Sequence, residues 1–370
     1  MRLGDIQQIL ESWAPKELAW ERDNVGLQIG SAGKRISKIL VALDVTDEVI
    51  SEASRKKIDL IISHHPLLFH PLKSINEEER VGRLVNALCR QKIALYAMHT
   101  NLDFTANGVS FSLAKKLRLN NARVLQQQHS SQKKIVVFVP RSHVEQVASA
   151  MTAAGAGRIG NYEECSFRGE GVGTFNASQQ SKPFLGNKGR LERVNETRLE
   201  MNVPSWKIDH VTGAMQAAHP YEEVAYDIYD LVNSNRNYGA GVLGEYASAI
   251  SLKEFLRTIQ RALNVPALRY SGDAKKSIQC VALCGGSGAS LLPAALRANA
   301  DAFVTADISY HAFQDSDNRI ALIDAGHYET EHPAIEEIVG YLKHEFALKK
   351  QRIYVTASTR ISNFVQYSFS

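Results

Sequence analysis

Long apolar runs are what this 370-residue chain most plainly lacks. None approaches the length of about eighteen residues that a helix needs to cross a bilayer, so no membrane role is expected. Arg2 could open a secretory leader, but Asp5, Gln7, Gln8 and Glu11 interrupt any apolar core behind it, and secretion is not expected. Cysteine is scarce and scattered, at Cys89, Cys165, Cys280 and Cys284. That spacing makes neither a zinc ribbon nor a disulfide framework. Cys280 and Cys284 fall on an expected buried strand, where small thiols are common, and the reducing cytoplasm is the expected compartment. Nor is there a strong charge of either sign: 43 basic side chains face 39 acidic ones, for a net charge of +4. Such a balance permits contact with nucleic acid without supporting it.

What is present is the composition of a globular protein, 44% hydrophobic and 22% charged, long enough for two or three domains. Leu3, Ile6, Ile9 and Leu10 recur at helical spacing before Pro15. Strands are expected at 37–43, 59–63 and 93–98, alternating with helices at 46–56, 77–90 and 107–117. This β-α-β-α-β-α series implies a mainly parallel sheet covered on both faces. Around Gln126-Gln127-Gln128 the character changes. A strand at 134–139, a helix at 143–154, a glycine-rich stretch, a polar and basic loop at 178–193, a strand at 197–203, a helix at 205–217 and a strand at 224–231 approach a split β-α-β pattern. From Gly241 the first pattern returns, with strands at 242–247, 278–284, 302–305 and 320–323. A closing helix carries Ile335, Ile338, Val339, Leu342 and Phe346 at helical spacing. The flanks are alike in type, so the middle reads as an insertion. The expected division is 1–127, 128–236 and 237–370: an α/β body in two halves with an inserted α+β domain.

The chemistry gathers where strands end. Asp59-Leu60-Ile61-Ile62-Ser63 runs into His64-His65-Pro66, and the proline stops the strand. Other strand ends carry His99 with Asp103, Thr305 with Asp307, and His327 with Glu331. Ligands in α/β proteins sit beyond the carboxyl ends of strands, and imidazole with carboxylate suits divalent metals. His327 and Glu331 are four apart and share a face if a helix starts there, although Pro333 is comfortable only in a first turn. Each of these groups alone is as readily a solvated surface feature; their recurrence at successive strand ends is what points to a site. Gly285-Gly286-Ser287-Gly288 reads either as an anion cradle or as a tight turn, and it lacks a P-loop lysine. Asn24 and Gln28 could reach a ligand or cap a turn. His219-Pro220-Tyr221-Glu222-Glu223 lies inside the insertion and reads as structural or interfacial.

With DNVGLQIG at 23–30, SHHP at 63–66, HTNLD at 99–103, GGSG at 285–288, TADISYH at 305–311 and GHYETE at 326–331, the chain resembles the Nif-three-like family, also called GTP cyclohydrolase I type 2 homologues. Arg22 stands where many relatives have tryptophan. The resemblance implies two related α/β halves around a dinuclear metal centre, a toroidal homohexamer, and an inserted ferredoxin-like domain similar to PII and CutA proteins. It implies His64, His65, Asp103, His327 and Glu331 as ligands of two divalent ions (Zn, Fe, Mn or Ni), with Glu331 bridging and Asp103 a second candidate for that role. The expected activity is metal-dependent hydrolysis of a nucleotide or related heterocycle, with His99 or Asp307 moving the proton. The alternative is a ring-shaped regulatory or scaffold protein whose metals join the halves and whose partners are nucleic acid or other proteins.

Overall fold

Residues 39–42 and 60–62 form continuous apolar runs because the sheet they belong to is covered on both faces. The computed structural model describes residues 1–128, 132–160, 162–233, 235–273 and 275–368. They divide into two units, Met1–Gln126 with Tyr238–Ser370, and Gln127–Asn237. No helix among the described residues is long and apolar enough to cross a membrane.

The first unit holds two sheets. One runs in the order Gly26–Ile29, Ala94–Ala97, Leu60–Ser63, Lys38–Ala42, Tyr354–Ala357. The last four strands are parallel, and the first is an antiparallel edge. Because strand side chains alternate, Ile39, Val41, Leu60 and Ile62 meet the helices Leu3–Trp13 and Pro333–Leu348. Leu40, Ala42, Ile61 and Leu95 meet Asp47–Lys56 and Arg80–Arg90 on the other face. Local chemistry sets the helix bounds. Thr46 Oγ1 accepts from Val49 N (3.3 Å), Asp47 and Glu48 occupy the first turn, and Lys57 closes the helix in the left-handed region (φ 54°).

The other sheet runs Arg269–Tyr270, Ala321–Asp324, Ala302–Thr305, Ser277–Leu283, Asn235–Ser251, Asn120–Gln128, with three parallel strands at its centre. Val281, Leu283, Val304 and Ile323 pack with Phe255 and Ile259 on one face. Ala282, Phe303 and Leu322 pack with Leu292 and Ala295 on the other. The two halves are not contiguous blocks of sequence. The helix Pro333–Leu348 and the strand Tyr354–Ala357 serve the first sheet, while Leu113 and Leu117 of the amino-terminal flank pack into the core of the second.

In the second unit the strand order is Phe167–Asn176, Leu191–Pro204, Gln132–Pro140, Tyr226–Leu231, all antiparallel. The helices Val144–Ala153 and Ile208–Ala218 cover one face through Ile135, Val137, Leu199 and Met201. Two departures from the sequence expectation are linked. The glycine-rich stretch is a full strand, and Leu191–Arg193, expected in a loop, belong to its partner. Gly169, Gly171 and Gly173 occupy alternate positions and remove the apolar alternation by which a strand is recognised.

Candidate metal centre

All four of the strand-end groups converge in the first unit. Hydrogen bonding from His64 N to Ala42 O (3.1 Å) and from His65 N to Leu43 O (2.9 Å) extends the ladder to the histidines before Pro66 ends it. His64 is fully buried, and its Nδ1 lies 2.7 Å from Met98 O. A carbonyl only accepts, so Nδ1 carries a hydrogen and Nε2 is the nitrogen turned toward the other groups. The same device recurs with carboxylates: His65 Nδ1 lies 2.8 Å from Asp44 Oδ1, His99 Nδ1 is 2.9 Å from Asp23 Oδ1, and His327 Nδ1 is 2.6 Å from Asp307 Oδ2. Holding the outer nitrogen in this way orients an imidazole for a metal. Glu331 reaches the middle of the group because His327–Glu331 forms one short helix and Pro333 begins the next. Its Oε1 is 3.1 Å from His327 Nε2 and 3.7 Å from His64 Nε2, and its Oε2 is 3.0 Å from His65 Nε2. Asp103 Oδ1 lies 3.8 Å from His64 Nε2.

These groups fit a metal on two counts. Donors about 2.1 Å from a tetrahedral ion stand about 3.4 Å apart, and the separations of 3.0, 3.1, 3.7 and 3.8 Å bracket that value. Moreover, His64 Nε2, Asp103 Oδ1 and Glu331 Oε2 are buried without a hydrogen-bond partner, a costly state that a cation would relieve. Among the described residues, two sets of donor atoms, each within 4.8 Å of one another, could hold an ion: His64, His65 and His99, and His65, His327 and Glu331.

Electrostatics bears the marks of crowded charge. Burial, reinforced by the Glu331 charge and opposed by His64, raises Asp103 to about 7. Burial works against the Glu331 carboxylate, but the imidazoles of His64, His327 and His65 outweigh it and hold that acid well below its usual range. For His65, burial opposes the charged form and the carboxylates of Asp44 and Glu331 prevail, raising it to about 10. For Asp23, burial is likewise overcome by His99 and Thr100, and the acid falls to about 2.

Several readings made from the sequence change. The glycine loop is a tight turn more than an open anion cradle: three of its four amides are taken, Gly285 N by Ser110 Oγ, Gly286 N by Thr330 Oγ1 and Gly288 N by Thr305 Oγ1. No helix of useful length follows it either. Its glycines instead clear space, since a Cβ on Gly286, which sits at φ +62°, would collide with Glu331 Oε1. Asp307 accepts from Ser287 Oγ and His327 Nδ1, so it holds a histidine of the centre in place. Gln28 and Asn24 pin Leu68 of the loop behind His65 and are structural. Sequence reasoning missed the supporting acids Asp23 and Asp44. The only signal for Asp44 was an acid ending the strand next to that of His65.

The chain matches the Duf34/NIF3 (NGG1p interacting factor 3) family model over residues 1–363. It is 42% identical over 325 residues to a Bacillus subtilis protein named GTP cyclohydrolase 1 type 2 homolog, covering 87% of each chain. A protein of the same name from Halalkalibacterium halodurans is 41% identical over 324 residues, again with 87% of each covered. Among solved structures, a Bacillus cereus protein related to NIF3 superposes with a TM-score of 0.88 at 37% identity, over 100% of this chain and 99% of that one. On this match of sequence and fold, the chain belongs to the DUF34/NIF3 family.

Proposed function

We propose that the protein is a hydrolase acting on a nucleotide or related heterocycle with two divalent metal ions held by His64, His65, Asp103, His327 and Glu331. One observation carries the reading. A single buried carboxylate presents one oxygen toward His64 and His327 and the other toward His65, the arrangement two ions need in order to share a ligand. Zn, Fe, Mn and Ni all suit such donors. Ions bound there supply Lewis acidity and acidify water. The chain's own part is orientation: Met98 O, Asp44, Asp23 and Asp307 each hold one imidazole, and Asp307 is a positioning residue. His99, with Nδ1 held by Asp23, keeps Nε2 for completing a ligand set or passing a proton.

A cavity of about 380 Å³ opens beside His65 and His327, with Tyr328, Phe364 and Tyr367 among its walls. Its size and aromatic surface suit a flat heterocycle. The names of the relatives point to GTP, for which the reaction would be opening of the purine ring at C8. Metal-loaded protein tested against a nucleotide panel, with ring opening followed by ultraviolet absorbance and phosphate release by a coupled assay, should turn over at least one substrate and lose turnover in His65→Ala. A panel left intact by protein that holds two ions refutes the hydrolase reading and leaves the binding or scaffold role. For assembly we propose a homohexameric ring, and for Gln127–Asn237 a PII/CutA-like role; a monomer by light scattering would sink the former.

A further inference from the structure

The second unit carries a cavity of about 440 Å³ on the face of its sheet opposite the helices Val144–Ala153 and Ile208–Ala218. Register places Phe138, Glu196, Gly171, Gly173 and Phe175 on that face, because Phe138 pairs with Arg198, Gly171 with Glu196 and Arg168 with the core residue Leu199. Glycine weakens a strand interior and tends to occur where a ligand or another backbone comes close. Here a Cβ on Gly173 would collide with the Glu196 carboxylate, whereas at Gly171 it would meet nothing within 4 Å.

The His219-Pro220-Tyr221-Glu222-Glu223 turn builds one wall. His219 is buried and held at both nitrogens, Nε2 by Phe138 O (3.1 Å) and Nδ1 by Tyr221 N (3.1 Å). It fixes the turn so that Tyr221 donates to Glu196 Oε1 (2.9 Å). Across the opening, the segment after Ala177 brings Phe184 to 6.3 Å from the Tyr221 ring, and Lys182 N ties that segment to Glu222 Oε1 (2.7 Å). The lining therefore has four aromatic rings and three carboxylates, those of Glu196, Glu222 and Glu223, and no lysine or arginine. Among the described residues, no salt bridge reaches any of the three acids. Arg198 lies over the Phe138 ring at 5.8 Å but is fastened to Glu200 and does not line the cavity.

We infer that this cavity is a binding site for an organic cation, a protonated amine or guanidinium on a flat apolar stem. Aromatic faces and carboxylates both attract such a head group, the volume lies within the range of small-molecule pockets, and the local negative charge repels phosphates and carboxylates. None of the lining residues belongs to the metal centre, so the test does not depend on turnover.

The test uses the full chain and ligand-observed NMR titration with 2-phenylethylamine, its neutral isostere 2-phenylethanol and the anion phenylacetate. The amine should bind saturably and about tenfold more tightly than the alcohol, with no binding of phenylacetate. Glu196→Gln keeps the acceptor for Tyr221 and should weaken the amine toward the alcohol. Phe184→Ala, at a ring already 51% exposed, should weaken both and leave thermal unfolding unchanged. Absence of saturable amine binding, equal affinity for amine and alcohol, or amine binding unaltered in both variants would each overturn the inference.

Discussion

Glu331→Gln is the sharpest test of the metal centre. The substitution keeps size and shape but removes the one buried charge that faces three imidazole nitrogens at 3.0 to 3.7 Å. It also turns one acceptor oxygen into an N–H donor, so the side chain can serve one ion at most. At an effective dielectric of about 20, a unit charge about 4 Å from another contributes about 4 kcal/mol. That is about a thousandfold in affinity, and a dication roughly doubles the attraction that is lost. The assay is metal content by plasma emission after loading with excess ion and desalting. The parent protein should retain two ions per chain and Glu331→Gln no more than one. His219→Ala, whose ring is held by Phe138 O within the second unit, should retain both. Two ions in the Glu331 variant, or loss in the His219 variant, would refute the assignment.

Asp44→Ala removes the acceptor at His65 Nδ1 and the partner of Ser362 Oγ, and should weaken metal binding by about 10- to 100-fold in chelator competition; unchanged affinity would deny Asp44 its orienting role. Glu52, buried under the segment after Tyr354–Ala357, accepts from Lys56, Ser358 and Thr359. Burial opposes its charge, but these bonds prevail and lower it from 4.5 to about 2. Because the folded value is depressed, the stability it contributes is present above pH 4.5 and is lost as pH falls toward 2. Glu52→Gln should therefore destabilise by about 1–3 kcal/mol at neutral pH and flatten stability between pH 4.5 and 2; an unaltered acid-denaturation profile would contradict this. Finally, Asn120–Gln128 and Asn235–Ser251 are neighbouring strands of one sheet, so the chain leaves and re-enters the first unit side by side. Replacing 129–234 with a short Gly/Ser linker should leave a soluble, metal-binding body, and an insoluble product would count against independent folding of the units.

Much of this protein was written locally. Strands that stop at a histidine or an acid, a helix begun by Thr46 or Ser251, and the four-residue spacing of His327 and Glu331 depend on neighbours along the chain. Periodicity and capping act over a few residues and can be read there. The local pattern was silent or misleading elsewhere. Three alternate glycines hide the strand Phe167–Asn176, and the choice between cradle and turn for the glycine loop rests on the bonds its amides make with the distant Ser110, Thr305 and Thr330.

The sequence by itself determined which groups stand at strand ends, and hence that imidazoles and carboxylates would gather at sheet edges. Only the tertiary structure decided how they divide their labour. Asp44 is 21 residues from His65 and Asp23 is 76 from His99, yet these pairs fix how each ring is turned. The pairing of Tyr354–Ala357 with Lys38–Ala42 and the packing of Pro333–Leu348 on the amino-terminal sheet likewise bring Glu331 to His64 and His65. Such contacts are selected by burial and by the shape of two-sided cores, which depend on every strand at once, and no short window of sequence contains them.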